Sequence, residues 1–204
     1  MVGPALLVAA FLLGAVPFGY LIGRAAGVDV RRVGSGNIGA GNLLRAVGRW
    51  AALCTLLLDA GKGALPVAAA RWAGLSSDWL AAVVAAAVLG HVYTPFLRFR
   101  GGKGVATTLG GLAAATPWVA LTAVAVWLVT AAASRIASLA ALLAAVLLPL
   151  FAWWLDGRAP FVLLSGVLAV LVVWRHRENI GRIRQGTEPR IGHRVSAAPQ
   201  RPSA

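Results

Sequence analysis

Three polar clusters interrupt an otherwise apolar chain, and their residue types are those that bind phosphate. The first runs Gly34-Ser35-Gly36-Asn37-Ile38-Gly39-Ala40-Gly41-Asn42-Leu43-Leu44-Arg45. A Gly/Ser/Asn loop can turn successive backbone N–H groups inward as an anion nest. Ser35, Asn37 and Asn42 add donors, and Arg45 adds a planar fork for a phosphate. Gly34, Gly36 and Gly39 formally complete G-x-G-x-x-G. The dinucleotide reading fails on context, because that fingerprint must follow a strand and open a βαβ unit, and here an apolar span precedes it. A flexible connector is the plain alternative. The second cluster is Gly90-His91 followed by Phe99-Arg100-Gly101-Gly102-Lys103-Gly104-Val105-Ala106-Thr107. It lacks Walker A spacing. A lysine among three glycines at a helix start still combines a point charge, close backbone approach and a positive dipole end, which suits a phosphate or acyl phosphate. Snorkelling at the membrane surface is the competing role for Arg100 and Lys103, and a structural role for the lone His91. The third runs from Trp174 to Glu188, where His176, Asn179 and Ile183 are spaced three and four apart and share one helix face. Its remaining arginines suit an anionic membrane surface.

The elements that must position these clusters are membrane spans. Hydrophobic residues make up 59% of the 204 and charged ones 12%, with a mean hydropathy of +0.80. That excludes both an ordinary water-soluble core and intrinsic disorder. Apolar runs long enough to cross a bilayer are Pro4–Gly23, Trp50–Ala70, Trp79–Leu97, Ser138–Leu155 and the shorter Pro160–Trp174. The first lacks the basic start of a signal peptide and is expected to be retained. Gly104–Ala133 is too long for one span and carries Pro117 near its middle, so a break at Thr116–Pro117 is expected. The result is an all-α polytopic membrane protein of seven transmembrane helices. Residues 1–194 form one integral-membrane domain, and 195–204 a disordered tail. Asp59 and Lys62 form an i,i+3 pair inside the second span, read as structural pairing.

Charge sets the orientation. Of 19 basic residues, 17 are Arg, against 6 acidic ones. With seven spans, 16 of the basic residues fall on one side and only Arg71 and Arg158 on the other. The positive-inside rule then places the N-terminus outside and the C-terminus, with all three clusters, in the cytoplasm. The basic excess is read as serving the membrane surface and anionic substrates, with no nucleic acid partner. The single Cys54 excludes a disulfide framework and a cysteine metal site.

In this order and at these spacings, the three clusters resemble those of the bacterial acyl-phosphate:glycerol-3-phosphate acyltransferase family. The likeness rests on Ser35-Gly36-Asn37-Ile38-Gly39-Ala40…Asn42…Arg45, on Gly90-His91 with Gly101–Thr107, and on His176…Asn179-Ile180…Arg182…Gly186-Thr187-Glu188. It runs from the first span to about Arg190. It departs at Gly41, where the family usually carries threonine, and at Pro95, one place later than expected. The resemblance implies a seven-span enzyme of the bacterial cytoplasmic membrane. Such an enzyme transfers a long-chain acyl group from acyl phosphate to the sn-1 hydroxyl of glycerol 3-phosphate, giving lysophosphatidic acid and inorganic phosphate. It implies no cofactor, no metal and no obligate protein partner; the partners are the two substrates and membrane lipid. Catalytic candidates are Ser35, His91, Lys103, His176 and Asn179. Ser35, Gly36, Asn37, Asn42, Gly101, Gly102, Lys103, Gly104 and Thr107 are assigned to acyl phosphate, with the glycine amides approaching it. Arg45, Lys103, His176 and Asn179 are assigned to glycerol 3-phosphate. Because acyl phosphate is already activated, Ser35 is read as a phosphate donor group and not as a nucleophile. Either the substrate phosphate, His91 or His176 takes the proton. A small carrier for a phosphorylated anion is the alternative.

Overall fold

The computed structural model describes residues 2–192, so the expected tail lies outside the described residues. All regular structure among them is helical. In chain order come α1 (Val2–Ala15), α2 (Phe18–Ala25), α3 (Ala40–Ala46), α4 (Arg49–Trp72) and α5 (Ser77–Val92), then a 3₁₀ turn at Pro95–Leu97. α6 (Val105–Ala115), α7 (Pro117–Ser134), α8 (Ala137–Leu155), α9 (Ala159–Arg175) and α10 (Arg177–Arg184) complete the bundle. Among the described residues, five stretches are long and apolar enough to cross a membrane: 2–25, 49–72, 77–97, 117–134 and 137–155. α9 joins them only as a pair with α10, bent by 59°.

Proline and glycine decide the irregular features. Pro17 divides the first span into α1 and α2, since it cannot donate within a helix. The carbonyls at this break are met by side chains: Thr94 Oγ1 donates to Ala15 O at 2.6 Å, and Lys62 Nζ to Val16 O at 2.8 Å. The expected break at Thr116–Pro117 separates α6 from α7. α6 has 11 residues and, at about 17 Å long, is shorter than the bilayer core. It is held inside the bundle, and the end it leaves open is capped by the two arginines that the charge rule sets apart. Arg71 Nη1 donates to Ala114 O at 3.1 Å, and Arg158 Nη2 to Ala115 O at 3.2 Å.

Helices approach closely where side chains are absent, as is usual when lipid removes any hydrophobic drive between them. A Cβ on Gly63 would strike the carbonyl of Thr107, and one on Gly110 the carbonyl of Ala60, so α4 and α6 touch backbone to backbone. Gly14 meets Ala87 and Gly90 meets Phe11 in the same way between α1 and α5. Outward faces carry exposed leucines, and exposed tryptophans gather at helix ends: Trp50 and Trp72 on α4, Trp118 on α7, Trp153 and Trp154 on α8. This is the aromatic-belt pattern of a membrane protein.

Candidate active site

The loop before α3 is built around one buried carboxamide. Asn42 Oδ1 accepts the Ser35 N–H at 3.0 Å, while Nδ2 donates to the carbonyls of Val30 and Val33 at 2.9 and 3.1 Å. Gly34 at φ +61° passes so close to Asn42 Oδ1 that a Cβ would overlap it. Asn42 is therefore spent on the loop, against the expectation that it binds phosphate. Asn37 Oδ1 accepts the Gly39 N–H at 2.9 Å, the short Asx turn favoured by asparagine. Gly36, at φ +68°, is exposed and its N–H is given to Val33 O at 3.1 Å. What the loop presents is Ser35, whose Oγ accepts from Arg45 Nη2 at 3.3 Å. Arg45 is half-buried and lies within the fields of Glu188 and Arg182. A side chain at Gly41 would meet nothing within 4 Å.

The second cluster also differs from the expectation at its glycines. Gly101 N donates to Val92 O at 3.0 Å and Gly102 N to His91 O at 3.2 Å, so neither amide is available to a substrate. Arg175 Nη2 donates to Gly101 O at 3.0 Å, a clamp that corrects its reading as a lipid contact. Gly104, at φ +85°, turns the chain into α6 and accepts the first helical bond, from Thr108, at 2.8 Å. The amides of Val105, Ala106 and Thr107 therefore meet no helical carbonyl. The Thr107 side chain is fully buried and its carbonyl packs on Gly63, so its hydroxyl is enclosed in the bundle and only its amide is left at the head of the helix. His91 is buried under Gly102, with Nδ1 turned toward Asp59. Packed between the Gly102 backbone and Asp59, its ring is set as a support for the glycine turn, the structural role weighed for it against catalysis.

Lys103, half-buried, donates its ammonium to Asn179 Oδ1 across 76 residues. Asn179 Nδ2 passes the contact on to Glu188 Oε1. Glu188 further accepts from Ser138 Oγ and from Arg182 Nε, both at 2.7 Å. Burial raises its carboxyl, but these three hydrogen bonds more than offset that, and it stays ionised below the usual range. His176 caps the bend between α9 and α10; its Nδ1 lies 2.8 Å from Val172 O. Donation there makes Nδ1 a protonated nitrogen and, in the neutral ring, leaves the Nε2 lone pair as a hydrogen-bond acceptor. Beside Lys103, the start of α6 lines an apolar cavity shared with Trp127, Ala141, Leu148 and Val172.

The structure thus joins Lys103 with Asn179 and Arg45 with Ser35, and it links the first cluster to the third through charge. Sequence reasoning missed Glu188 and Ser138, although Glu188 stood inside the third cluster as one of only six acidic residues. Glu188→Ala is expected to cost about 1–3 kcal/mol, because it leaves the part-buried Asn179 amide and Arg182 guanidinium without their acceptor, and to lower acyl transfer with it. Thermal unfolding in detergent checks this; unchanged stability would mean the network is solvated.

The family model described as glycerol-3-phosphate acyltransferase matches residues 4–186. A glycerol-3-phosphate acyltransferase of Thioalkalivibrio sulfidiphilus is 48% identical over 196 residues, covering 96% of this chain and 97% of that one. Another, of Rubrobacter xylanophilus, is 51% identical over 190 residues, covering 93% and 95%. Two solved structures of an integral membrane glycerol 3-phosphate acyltransferase superpose on the chain. The glycerol 3-phosphate form is 40% identical with a TM-score of 0.90, covering 94% of this chain and 96% of that one. The lysophosphatidic acid form is 39% identical with a TM-score of 0.87 and the same coverage.

Proposed function

The chain belongs to the glycerol-3-phosphate acyltransferase family, and from that premise we propose how this acyltransferase works and which way it faces. It acylates glycerol 3-phosphate to lysophosphatidic acid, the first step of phospholipid synthesis, and membership in the family sets aside the carrier alternative. The acyl donor is a long-chain acyl phosphate. The observation that carries this reading is the meeting of Lys103 and Asn179 beside His176, with Arg45 and Ser35 in reach of the same charges. Two phosphate-bearing substrates need such a surplus of cations and donors.

In the reaction the sn-1 hydroxyl oxygen bonds to the acyl carbonyl carbon, and the bond from that carbon to the phosphate oxygen breaks. The hydroxyl proton leaves with the departing phosphate, so atoms and charge balance without a covalent enzyme intermediate. Ser35 Oγ is occupied by Arg45 and serves as a phosphate ligand. Lys103 and the open amides of the first α6 turn hold the acyl phosphate and stabilise charge on the leaving group. Arg45, His176 and Asn179 hold glycerol 3-phosphate, and His176 Nε2 orients the attacking hydroxyl. The apolar cavity beside Lys103 takes the first part of the acyl tail. Catalysis is then mostly positioning.

Purified protein supplied with palmitoyl phosphate and glycerol 3-phosphate is expected to release phosphate and form lysophosphatidic acid, and palmitoyl-CoA to be inert. Turnover with the thioester alone would refute the donor assignment. The protein is further read as one seven-span unit of the bacterial cytoplasmic membrane, N-terminus outside and site in the cytoplasm, on the charge asymmetry already given. In a Cys54→Ala background, an impermeant thiol reagent added outside should label Ser77→Cys and spare Gln185→Cys. The reverse pattern would invert the orientation.

A further inference from the structure

Acyl transfer as derived leaves three ionisable side chains without a task, all buried beneath the site. Lys62 Nζ lies 2.8 Å from Asp59 Oδ1, and His91 Nδ1 stands 3.7 Å from the same oxygen. Lys62 also donates to Val16 O, in the break between α1 and α2, at 2.8 Å. Charges inside a membrane bundle are costly and are kept where they have a task. The Gly101–Gly102 turn rests on this group. Its two amides bond the carbonyls of Val92 and His91, and a Cβ on Gly102 would land on His91 Nε2. Lys103 is the next residue. From the side, Asp59 and Lys62 are the chain neighbours of Ala60 and Gly63, which touch Gly110 and Thr107 of α6. The group therefore supports the Lys103 segment both from below and along the helix that follows it.

We propose that Asp59, Lys62 and His91 are positioning residues for acyl transfer, fixing the His91 ring under Gly102 and thereby holding the Lys103 ammonium at Asn179. The inference rests on the reading of Lys103 as the phosphate-binding cation. A misplacement near 1 Å at such a group lowers turnover by about 100-fold. A role in stability alone would make no such demand, because a buried ion pair can often be replaced by apolar residues without loss of fold.

A mutant cycle separates the two. Asp59→Leu with Lys62→Met removes both charges at similar volume. In the folded, monodisperse double variant, kcat is expected to fall about 10- to 100-fold, and the KM for glycerol 3-phosphate to change by less than kcat does. In a Lys103→Ala background the same two changes are expected to cost nothing further, since the group they position is gone. Parental kcat in the folded double variant, or a loss that multiplies with that of Lys103→Ala, overturns the inference. Should the double variant not fold, the isosteric Asp59→Asn is put through the same cycle with the same criteria. Parental turnover in Lys103→Ala alone would remove the reading of Lys103, and the inference with it, without any change at Asp59.

Discussion

Lys103→Ala is expected to lower kcat by about 10²- to 10³-fold, the usual cost of deleting one preorganised donor aimed at developing charge. Lys103 sits between Gly102 and Gly104, and its ammonium is fixed by Asn179. In the proposed reaction, negative charge builds where that ammonium stands as phosphate departs. Burial lowers its pKa from 10.5 to about 8, with Glu188 acting in the opposite direction. The charged form is the useful one, so kcat/KM should be full near neutrality and fall as pH rises through about 8. Lys103→Arg keeps its charge through that window. Its activity, lower throughout because the guanidinium has another shape, should not show the fall. A parental profile that stays flat well above pH 8 would refute the lowered pKa, and a Lys103→Ala enzyme with parental kcat would exclude Lys103 from the chemistry.

Gly102→Ala is expected to come close to that loss for a steric reason. The new Cβ would overlap His91 Nε2, and the ring cannot yield because it is buried beside Asp59. Overpacking of this kind costs about 1–3 kcal/mol, and the relief available is movement of the turn that carries Lys103. Turnover should drop about 100-fold, and the KM for acyl phosphate should rise. The effect originates in the seat of the turn, since the Gly102 amide is already given to the His91 carbonyl. Gly61→Ala supplies the control, because a Cβ there meets nothing within 4 Å, and it should keep parental kinetics and melting temperature. Equal losses in the two variants would show that glycine removal harms the helices generally. A clean division of labour, with Gly102 serving only the donor and Asn179 only the acceptor, is not expected, because Asn179 bonds Lys103 directly.

The amino-acid sequence by itself determined the membrane class, the all-helical make-up, the break at Pro117 and where the three polar clusters lie along the chain. These are properties of neighbouring residues: hydropathy is summed along a span, proline acts on its own turn, and motif spacing is local. Lys103, His176 and Asn179 were legible as candidates for the same reason, as a lysine set in glycines and a polar pair on one helix face, and the fold brings Lys103 and Asn179 into contact. The tertiary structure alone decided which polar groups remain for a substrate. The Gly101 and Gly102 amides are taken by Val92 and His91, and Asn42 is consumed by the loop it closes. His91 is turned down toward Asp59, while Arg175 reaches back to Gly101 and Glu188 gathers Ser138, Asn179 and Arg182. Buried donors and acceptors must be paired, and most of these partners come from other helices. No periodicity records pairs so far apart in the chain, so whether a polar residue faces the substrate or the scaffold is settled only when the helices pack.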